Sequence, residues 1–338
     1  MDINKLWYQK SKRVWLLWPL ALLFAFVSAC RRWLFKTGLK KRSHPGAFVI
    51  VVGNISVGGN GKTPVVLAIT EHFKGKGLKP GVLSRGYGGT MQHHPYRVMR
   101  GDDAAVCGDE PALIAGRTGV PVVIDPVRAR GAKMLAEELH CDVIICDDGL
   151  QHYALERDLE LVVMDSRGTG NGHLLPMGPL REKPWRLASV DGIILNGNAD
   201  LTALPQQITL PPAFNLTLEG RYFCNVREPG RKTGIQDFCA KSGIHALAGI
   251  GHPERFFRQL EMYGMTLSST QPLPDHYHFS AADIPPGTVV MTEKDAVKAR
   301  AFAHEDCWYL PVDAVLPEEF YDLLDTRFEA GRRINNEL

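Results

Sequence analysis

No CxxC pair and no framework spacing connects the seven cysteines Cys30, Cys107, Cys141, Cys146, Cys224, Cys239 and Cys307. Their odd, scattered set excludes a disulfide scaffold and fits free thiols in a reducing compartment. The 338-residue chain also has no internal repeat and no low-complexity tract. With 45% hydrophobic and 22% charged residues, it is neither collagen-like nor broadly disordered. Its length suffices for two ordinary domains.

The other scarcity is of acids at the amino terminus. Residues 1–42 carry ten basic residues and one acid, Asp2, for about +9, while 29 basic against 36 acidic residues leave the remainder at about −7. A basic terminus on an acidic body implies that the terminus alone meets a polyanion. Between basic clusters (Lys10, Lys12, Arg13; then Arg31, Arg32, Lys36) runs the uncharged stretch Val14 to Cys30, with Trp7, Trp15, Trp18 and Trp33 in or beside it. As a helix this stretch spans about 26 Å, just short of a bilayer's roughly 30 Å hydrocarbon core. Three readings compete: a membrane anchor, an export signal and a buried core helix. Val27-Ser28-Ala29-Cys30 resembles a lipoprotein cleavage box, but Arg31 and Arg32 follow it directly. Basic flanks on both sides and interfacial tryptophans favour a helix at the anionic cytoplasmic leaflet.

Ala47 to Val52 is a continuous apolar, β-branched run, as a buried parallel strand requires. It leads into Ser56-Val57-Gly58-Gly59-Asn60-Gly61-Lys62-Thr63, after which Pro64 sits in a helix's first turn. This is a P-loop in strand–loop–helix context, with Ser56 in place of the usual first glycine. Its glycines wrap phosphates, Lys62 offers charge to the β/γ oxygens, and Thr63 offers a hydroxyl to Mg2+. Strand-like runs at 81–84, 121–124, 142–146, 159–164 and 192–195, with intervening helical stretches such as 125–139, predict a parallel sheet covered on both faces. Asp147 and Asp148 end the third of these runs, where a P-loop protein places its Mg2+ ligand.

Polar clusters fall where loops at strand ends should open, the place where doubly wound sheets bind ligands. They supply Arg85 and Tyr87, Asp109, Gln151 and His152, and Arg181 and Glu182. Plain turn chemistry is the competing reading for each. Residues 200–214, with Pro205, Pro211 and Pro212, read as a connection, followed by a hairpin arm at 221–226 turning at Glu228-Pro229-Gly230. A second alternation follows, with strands near 245–250, 266–269, 288–292 and 308–312 and a closing helix from Pro317. The domain expectation is therefore a 1–42 anchoring segment, a 43–200 P-loop domain, a 201–230 linker, a smaller 231–315 α/β domain and a 316–338 helix and tail. Asp275-His276-Tyr277-His278 lacks a further ligand at zinc spacing, but a histidine paired with a carboxylate tunes proton transfer. Thr292-Glu293-Lys294-Asp295 and Asp165-Ser166-Arg167-Gly168 are poor matches to guanine-nucleotide motifs.

Taken in order, the basic–apolar terminus, Ser56–Thr63, Ser84-Arg85-Gly86-Tyr87, Gly108-Asp109-Glu110-Pro111, Asp147-Asp148-Gly149-Leu150-Gln151-His152, Asp275-His276 and Thr292–Asp295 resemble the lipid A 4′-kinase family. The resemblance covers nearly the whole chain, and Ser56 is itself that family's form. It implies ATP-dependent phosphorylation of the 4′-hydroxyl of a tetraacylated glucosamine disaccharide 1-phosphate at the inner membrane's cytoplasmic face, giving lipid IVA. It also implies two α/β lobes, a β linker and a nucleotide cleft between the lobes. By matching motif, Lys62 and Thr63 hold phosphate and Mg2+, and Asp147, Asp148 and Glu182 organise Mg2+. Asp109, with His276 from the second lobe, serves the hydroxyl proton. Arg181, Arg85, Tyr87, Gln151 and His152 are candidate contacts to phosphate or substrate. The implied partners are ATP, Mg2+, the acylated disaccharide and an anionic membrane, without nucleic acid or a protein partner. The competing functions are a membrane-associated P-loop ATPase coupled to a partner protein, and a nucleotide-binding scaffold without turnover.

Overall fold

The computed structural model describes residues 3–8, 11–199, 201, 204 and 207–336; Asp2, Lys10 and Pro205, used above, lie outside them. The chain forms two compact units. One comprises residues up to Arg85, Val127–Thr217 and Leu316 onward, and the other Gly86–Pro126 and Leu218–Val315.

The first unit is built on six parallel strands in the order Ala213–Gly220, Gly192–Asn196, Leu159–Asp165, Phe48–Gly53, Val143–Asp147 and Pro80–Ser84. Val49 to Val52 and Val143 to Cys146 are fully buried, which is why these strands read as continuous apolar runs. The first strand of this order lies beyond the expected boundary at 200. Phe214 and Leu216 are buried between exposed neighbours, a period-two pattern that the preceding prolines obscure in the sequence. The carboxyl-terminal helix Glu318–Asn336 returns to this unit, where Phe328 meets Phe48 and Phe73 edge-on or tilted at 5.3 and 5.4 Å. The stretch expected as helix from 125 to 139 is narrower, running as an α-helix at Arg128–Lys133 that continues as a π-helix at Met134–Glu138.

At the amino terminus a 3-10 turn, Lys12–Leu17, leads into the helix Trp18–Lys36. Lys12–Lys36 is long and apolar enough to cross a membrane. Trp15, Leu16, Trp18, Leu20, Leu22, Leu23, Phe26 and Val27 are exposed, so this is not the buried core helix of the third reading. Val14, Ala21 and Phe35 are the buried residues of this stretch.

The second unit holds a mixed sheet in the order Lys232–Gly234, Tyr222–Asn225, Cys307–Leu310, Val289–Thr292, Ile244–Ala248 and Leu267–Pro272. The last four are parallel, and the expected hairpin joins antiparallel with Cys224 opposite Lys232. Phe238 anchors its core, stacked on Phe223 at 4.2 Å and edge-on to Trp308.

Gly86–Pro126 belongs to this second unit, not to the P-loop unit as its sequence position led us to expect. The physical reason is a helix the sequence reading did not foresee, Asp109–Thr118, which packs on the helix Glu293–Ala299. Arg117 locks the pair, donating to Glu293 at 2.8 Å and to the Val312 carbonyl at 2.9 Å, and also pairing with Asp313.

Candidate active site

In the first unit, the loop Ser56–Gly61 leaves the end of its strand and enters the helix Lys62–Gly75. Gly58 and Gly61 have φ of 99° and 86°, the left-handed region that side chains resist. A Cβ on Gly61 would lie 2.2 Å from Asn196 Nδ2. Gly61 caps the helix with no side-chain bond, so the first N–H groups face outward for an anion. Side chains brace the loop from behind. Asn60 Nδ2 donates to Ser56 Oγ at 3.1 Å, and Asn196 Nδ2 donates to the Asn60 carbonyl at 2.9 Å.

Asp148 sits beside this loop with φ 50°, another left-handed residue. Arg181 Nη1 lies 2.8 Å from both of its oxygens, and Lys62 Nζ is 3.6 Å from one. Burial raises the Asp148 pKa, but Lys62 and Arg181 outweigh that and hold it at about 2. Asp147, at the end of its strand, is nearly fully buried. Glu182 is already engaged, accepting from Gln151 Nε2 at 2.9 Å and Tyr153 at 2.5 Å, with Arg32 and Arg186 alongside. Glu182, the third carboxylate expected at Mg2+, is thus held in a hydrogen-bonded network, as Asp148 is held by Arg181. Gln151 belongs to the same network and also donates to the Asn54 carbonyl at 3.2 Å. His152 is kept neutral: burial, then the charges of Arg128, Arg31 and Arg85, depress it to about 4. Arg85 is exposed.

Thr63, Asp147 and Asp148 offer hard oxygen donors. Among the described residues no cluster of three or more His, Cys, Asp or Glu could cage an ion. That set fits Mg2+, which takes one or two carboxylates and completes its shell with phosphate oxygens and water.

The second unit carries a separate polar cluster. Asp109 is not in a turn, as expected, but opens the helix Asp109–Thr118, following Gly108 with φ 95°. A Cβ on Gly108 would lie 2.8 Å from the Tyr87 carbonyl, so only glycine lets the chain pass here. Asp109 Oδ1 accepts from the Glu110 amide at 2.9 Å, and Oδ2 lies 3.0 Å from His276 Nδ1. His276 has φ 58° and stands edge-on to the exposed Tyr87 ring at 4.8 Å. Both members of the pair therefore lie in one unit, 167 residues apart in sequence, and meet without any approach of two lobes. The expectation that His276 comes from a different lobe than Asp109 is corrected by the excursion of Gly86–Pro126.

Lys294 is the residue sequence reasoning missed. Its ammonium lies 3.2 Å from Glu110, 3.2 Å from Asp275 and 3.6 Å from Asp109. Burial opposes its charge, yet the three carboxylates raise its pKa. Asp109 is in turn lowered: burial pushes it up, and the His276 hydrogen bond with the Lys294 charge more than reverses that. For His276, the Asp109 bond raises the pKa against burial. The rest of the Thr292–Asp295 string is structural. Thr292 Oγ caps its helix by accepting from the Asp295 amide, and Asp295 accepts from the Gly249 amide at 2.9 Å.

Removing the Lys294 charge leaves Asp109, Glu110 and Asp275 facing one another. With Lys294→Met, the acidic limb of the pH–kcat profile should move upward, because a cation that helps to lower Asp109 is gone. Lys294→Arg should restore most of it. An unmoved acidic limb would separate Lys294 from the ionisation of Asp109.

The fold and this phosphate loop define a P-loop protein. The family model for tetraacyldisaccharide-1-P 4′-kinase matches residues 13–329, and the chain belongs to that family. Among curated relatives, tetraacyldisaccharide 4′-kinase of Pseudoalteromonas atlantica is 50% identical over 303 residues, 89% of this chain and 96% of that protein. The Haemophilus influenzae protein of the same name is 46% identical over 317 residues, 92% of each. The crystal structure of LpxK from Aquifex aeolicus in complex with ATP superposes with a TM-score of 0.78 at 27% identity, covering 93% of this chain and 99% of that one.

Proposed function

We propose that this protein transfers the γ-phosphoryl group of ATP to the 4′-hydroxyl of a tetraacylated glucosamine disaccharide 1-phosphate, giving lipid IVA and ADP in lipid A synthesis. The family match over 13–329 carries the reading, with the phosphate loop as its physical counterpart.

In the transfer, the hydroxyl oxygen forms a bond to the γ-phosphorus while the bond to the β,γ-bridging oxygen breaks, and the hydroxyl proton must leave. Lys62 and the loop amides of Ser56–Thr63 hold the triphosphate and meet charge that grows on its oxygens. Thr63 and Asp147, with Asp148 beside them, would hold Mg2+, which would supply charge neutralisation to the triphosphate. Arg181, bound to Asp148, keeps that carboxylate ionised and aimed. Asp109 receives the hydroxyl proton. Its lowered pKa makes it a weak base, which suffices because a loose phosphoryl transition state asks for orientation more than for early proton removal. His276, fixed by Asp109, orients that carboxylate and shares the proton. Tyr87 and Arg85 offer an exposed aromatic ring and a cation to the substrate.

The acceptor never leaves the bilayer, so a kinase confined to the same surface gains in effective concentration. The outward apolar side chains of Lys12–Lys36, with basic clusters on both flanks, suit the cytoplasmic leaflet of the inner membrane. A chain lacking residues 1–42 should appear in the soluble fraction, whereas the full chain sediments with membranes. Sedimentation of the shortened chain in high salt would place the attachment elsewhere.

The function itself is tested with purified protein, ATP and the disaccharide 1-phosphate acceptor. ATP should be consumed only when the acceptor is present, with one product phosphate per ADP. Steady hydrolysis without acceptor would favour a partner-coupled ATPase, and ATP binding without turnover a scaffold.

A further inference from the structure

We propose that Arg167 is a positioning residue for the phosphate loop, and that the amino-terminal segment holds Arg167 and the loop in place. The inference rests on reading Ser56–Thr63 as the phosphate cradle. It gives the first residues of the chain a part in ATP use besides membrane attachment.

Arg167 follows the strand Leu159–Asp165, the neighbour of the strand that leads into the loop. Its guanidinium is gripped by Asp165, with Nε 2.9 Å from Oδ2 and Nη2 2.6 Å from the same oxygen. The side chains of both residues are 16% exposed or less, so this is not a solvent-screened surface pair. Nη2 also donates to the Gly59 carbonyl at 2.8 Å and to Asn60 Oδ1 at 3.2 Å. A Cβ on Gly58 would lie 3.1 Å from Nη1.

The consequence follows from peptide geometry. In a trans peptide the carbonyl and the next N–H point in opposite directions from one rigid plane. Arg167 pins the carbonyl of Gly59 and Asn196 pins that of Asn60. The N–H groups of Asn60 and Gly61 are thereby turned to the other side, as a phosphate-binding nest requires. Two adjacent strand ends, one carrying Asp165 and one carrying Asn196, set the pose of the loop.

The amino-terminal segment completes the clamp. The Tyr8 ring lies 5.8 Å from Arg167 Cζ, a cation–π contact on the guanidinium. Trp7, buried, donates from its indole N–H to the Pro176 carbonyl at 3.0 Å. Trp7, Val14, Ala21 and Met177 form a small apolar core, and Val57 of the phosphate loop packs against it. The Val57 amide is tied to the Pro179 carbonyl at 2.9 Å. One wall of this core is therefore the loop itself, and another is the segment that carries the apolar helix.

The test uses the full-length chain in detergent micelles, with KM for ATP, KM for acceptor and kcat measured separately. Arg167→Ala should lower kcat/KM for ATP by about tenfold or more, towards the 100-fold cost of a misplacement of about 1 Å. KM for acceptor and sedimentation with membranes should stay unchanged. Tyr8→Ala should raise KM for ATP by about two- to fivefold, the size of an exposed cation–π contact, and Tyr8→Phe, which keeps the ring, should reverse most of that. If Arg167→Ala fails to fold, Arg167→Lys and Tyr8→Ala carry the test, since lysine keeps the charge and loses the fork. ATP kinetics within twofold of wild type in Arg167→Lys and Tyr8→Ala, or in Arg167→Ala, overturn the proposal. Lys62→Ala run in parallel separates the two readings. If it is inactive while the Arg167 variants are normal, only the positioning role falls; if it too is normal, the cradle reading itself falls.

Discussion

Lys62→Ala is expected to lower kcat at saturating ATP by about 100- to 1,000-fold or more, the cost of removing one pre-placed group that meets transition-state charge. Lys62 opens the helix Lys62–Gly75, and its ammonium lies 3.6 Å from Asp148. The fold should survive the change. Asp148 keeps both of its 2.8 Å contacts to Arg181, so no carboxylate is stranded, and alanine is the better helix former. The lost term belongs to charge that grows on the phosphate oxygens during transfer, so kcat should fall further than ATP affinity. Thermal unfolding of the variant should match that of the parent chain. Near-normal kcat would remove the phosphate loop from the mechanism.

The second large effect concerns Asp109 and His276. Asp109→Asn and His276→Ala should each lower kcat by about 100- to 10,000-fold, the range of a lost general acid–base group, with KM for ATP little changed. Because the two side chains already meet at 3.0 Å within one unit, they should act as a single device. The double variant should therefore be about as impaired as the worse single one. The pH dependence has a definite sign. Asp109 is lowered, so its ionised form persists as pH falls until that depressed value is reached. His276 is raised, so its protonated form persists above the ordinary imidazole range and is lost as pH rises through the raised value. In the window between them the pair is ionic, and any stability it lends is present there and fades on both sides. His276→Ala removes the bond that depresses Asp109, and the acidic limb of the remaining activity should move upward. Losses that simply multiply in the double variant, with an unmoved acidic limb, would show two independent residues and end the dyad.

The phosphate loop was legible because its chemistry is local. Glycine spacing, a preceding buried strand and a following helix start all lie within about thirty residues, and backbone conformation follows from them. The parallel strands were legible for a related reason, since burial on both faces leaves uninterrupted apolar runs such as Val143 to Cys146. Asp109 and His276 were each readable as polar residues at a loop or an element end. Their meeting was placed across two lobes because Gly86–Pro126 precedes the Asp147 strand in sequence, and chain order says nothing of an excursion that docks elsewhere. Lys294 and Arg167 sit in strings whose sequence gives neither residue a role of its own. Nothing local marks a lysine that will face three carboxylates, two from the start of another helix and one from a loop.

By itself the sequence determined the phosphate loop, the alternating α/β order, the apolar basic-flanked terminus and the family. Each depends on residues close together in the chain or on their order along it. Tertiary structure alone decided which strands became neighbours. That placed Asp165 and Asn196 beside the loop, and it set the inward residues Trp7, Val14 and Ala21 against Val57. It also decided that Asp109 belongs with His276 and Lys294. Such choices rest on hydrogen-bond pairing and apolar burial between segments far apart in the chain, where one side chain's partner depends on how every intervening element packs.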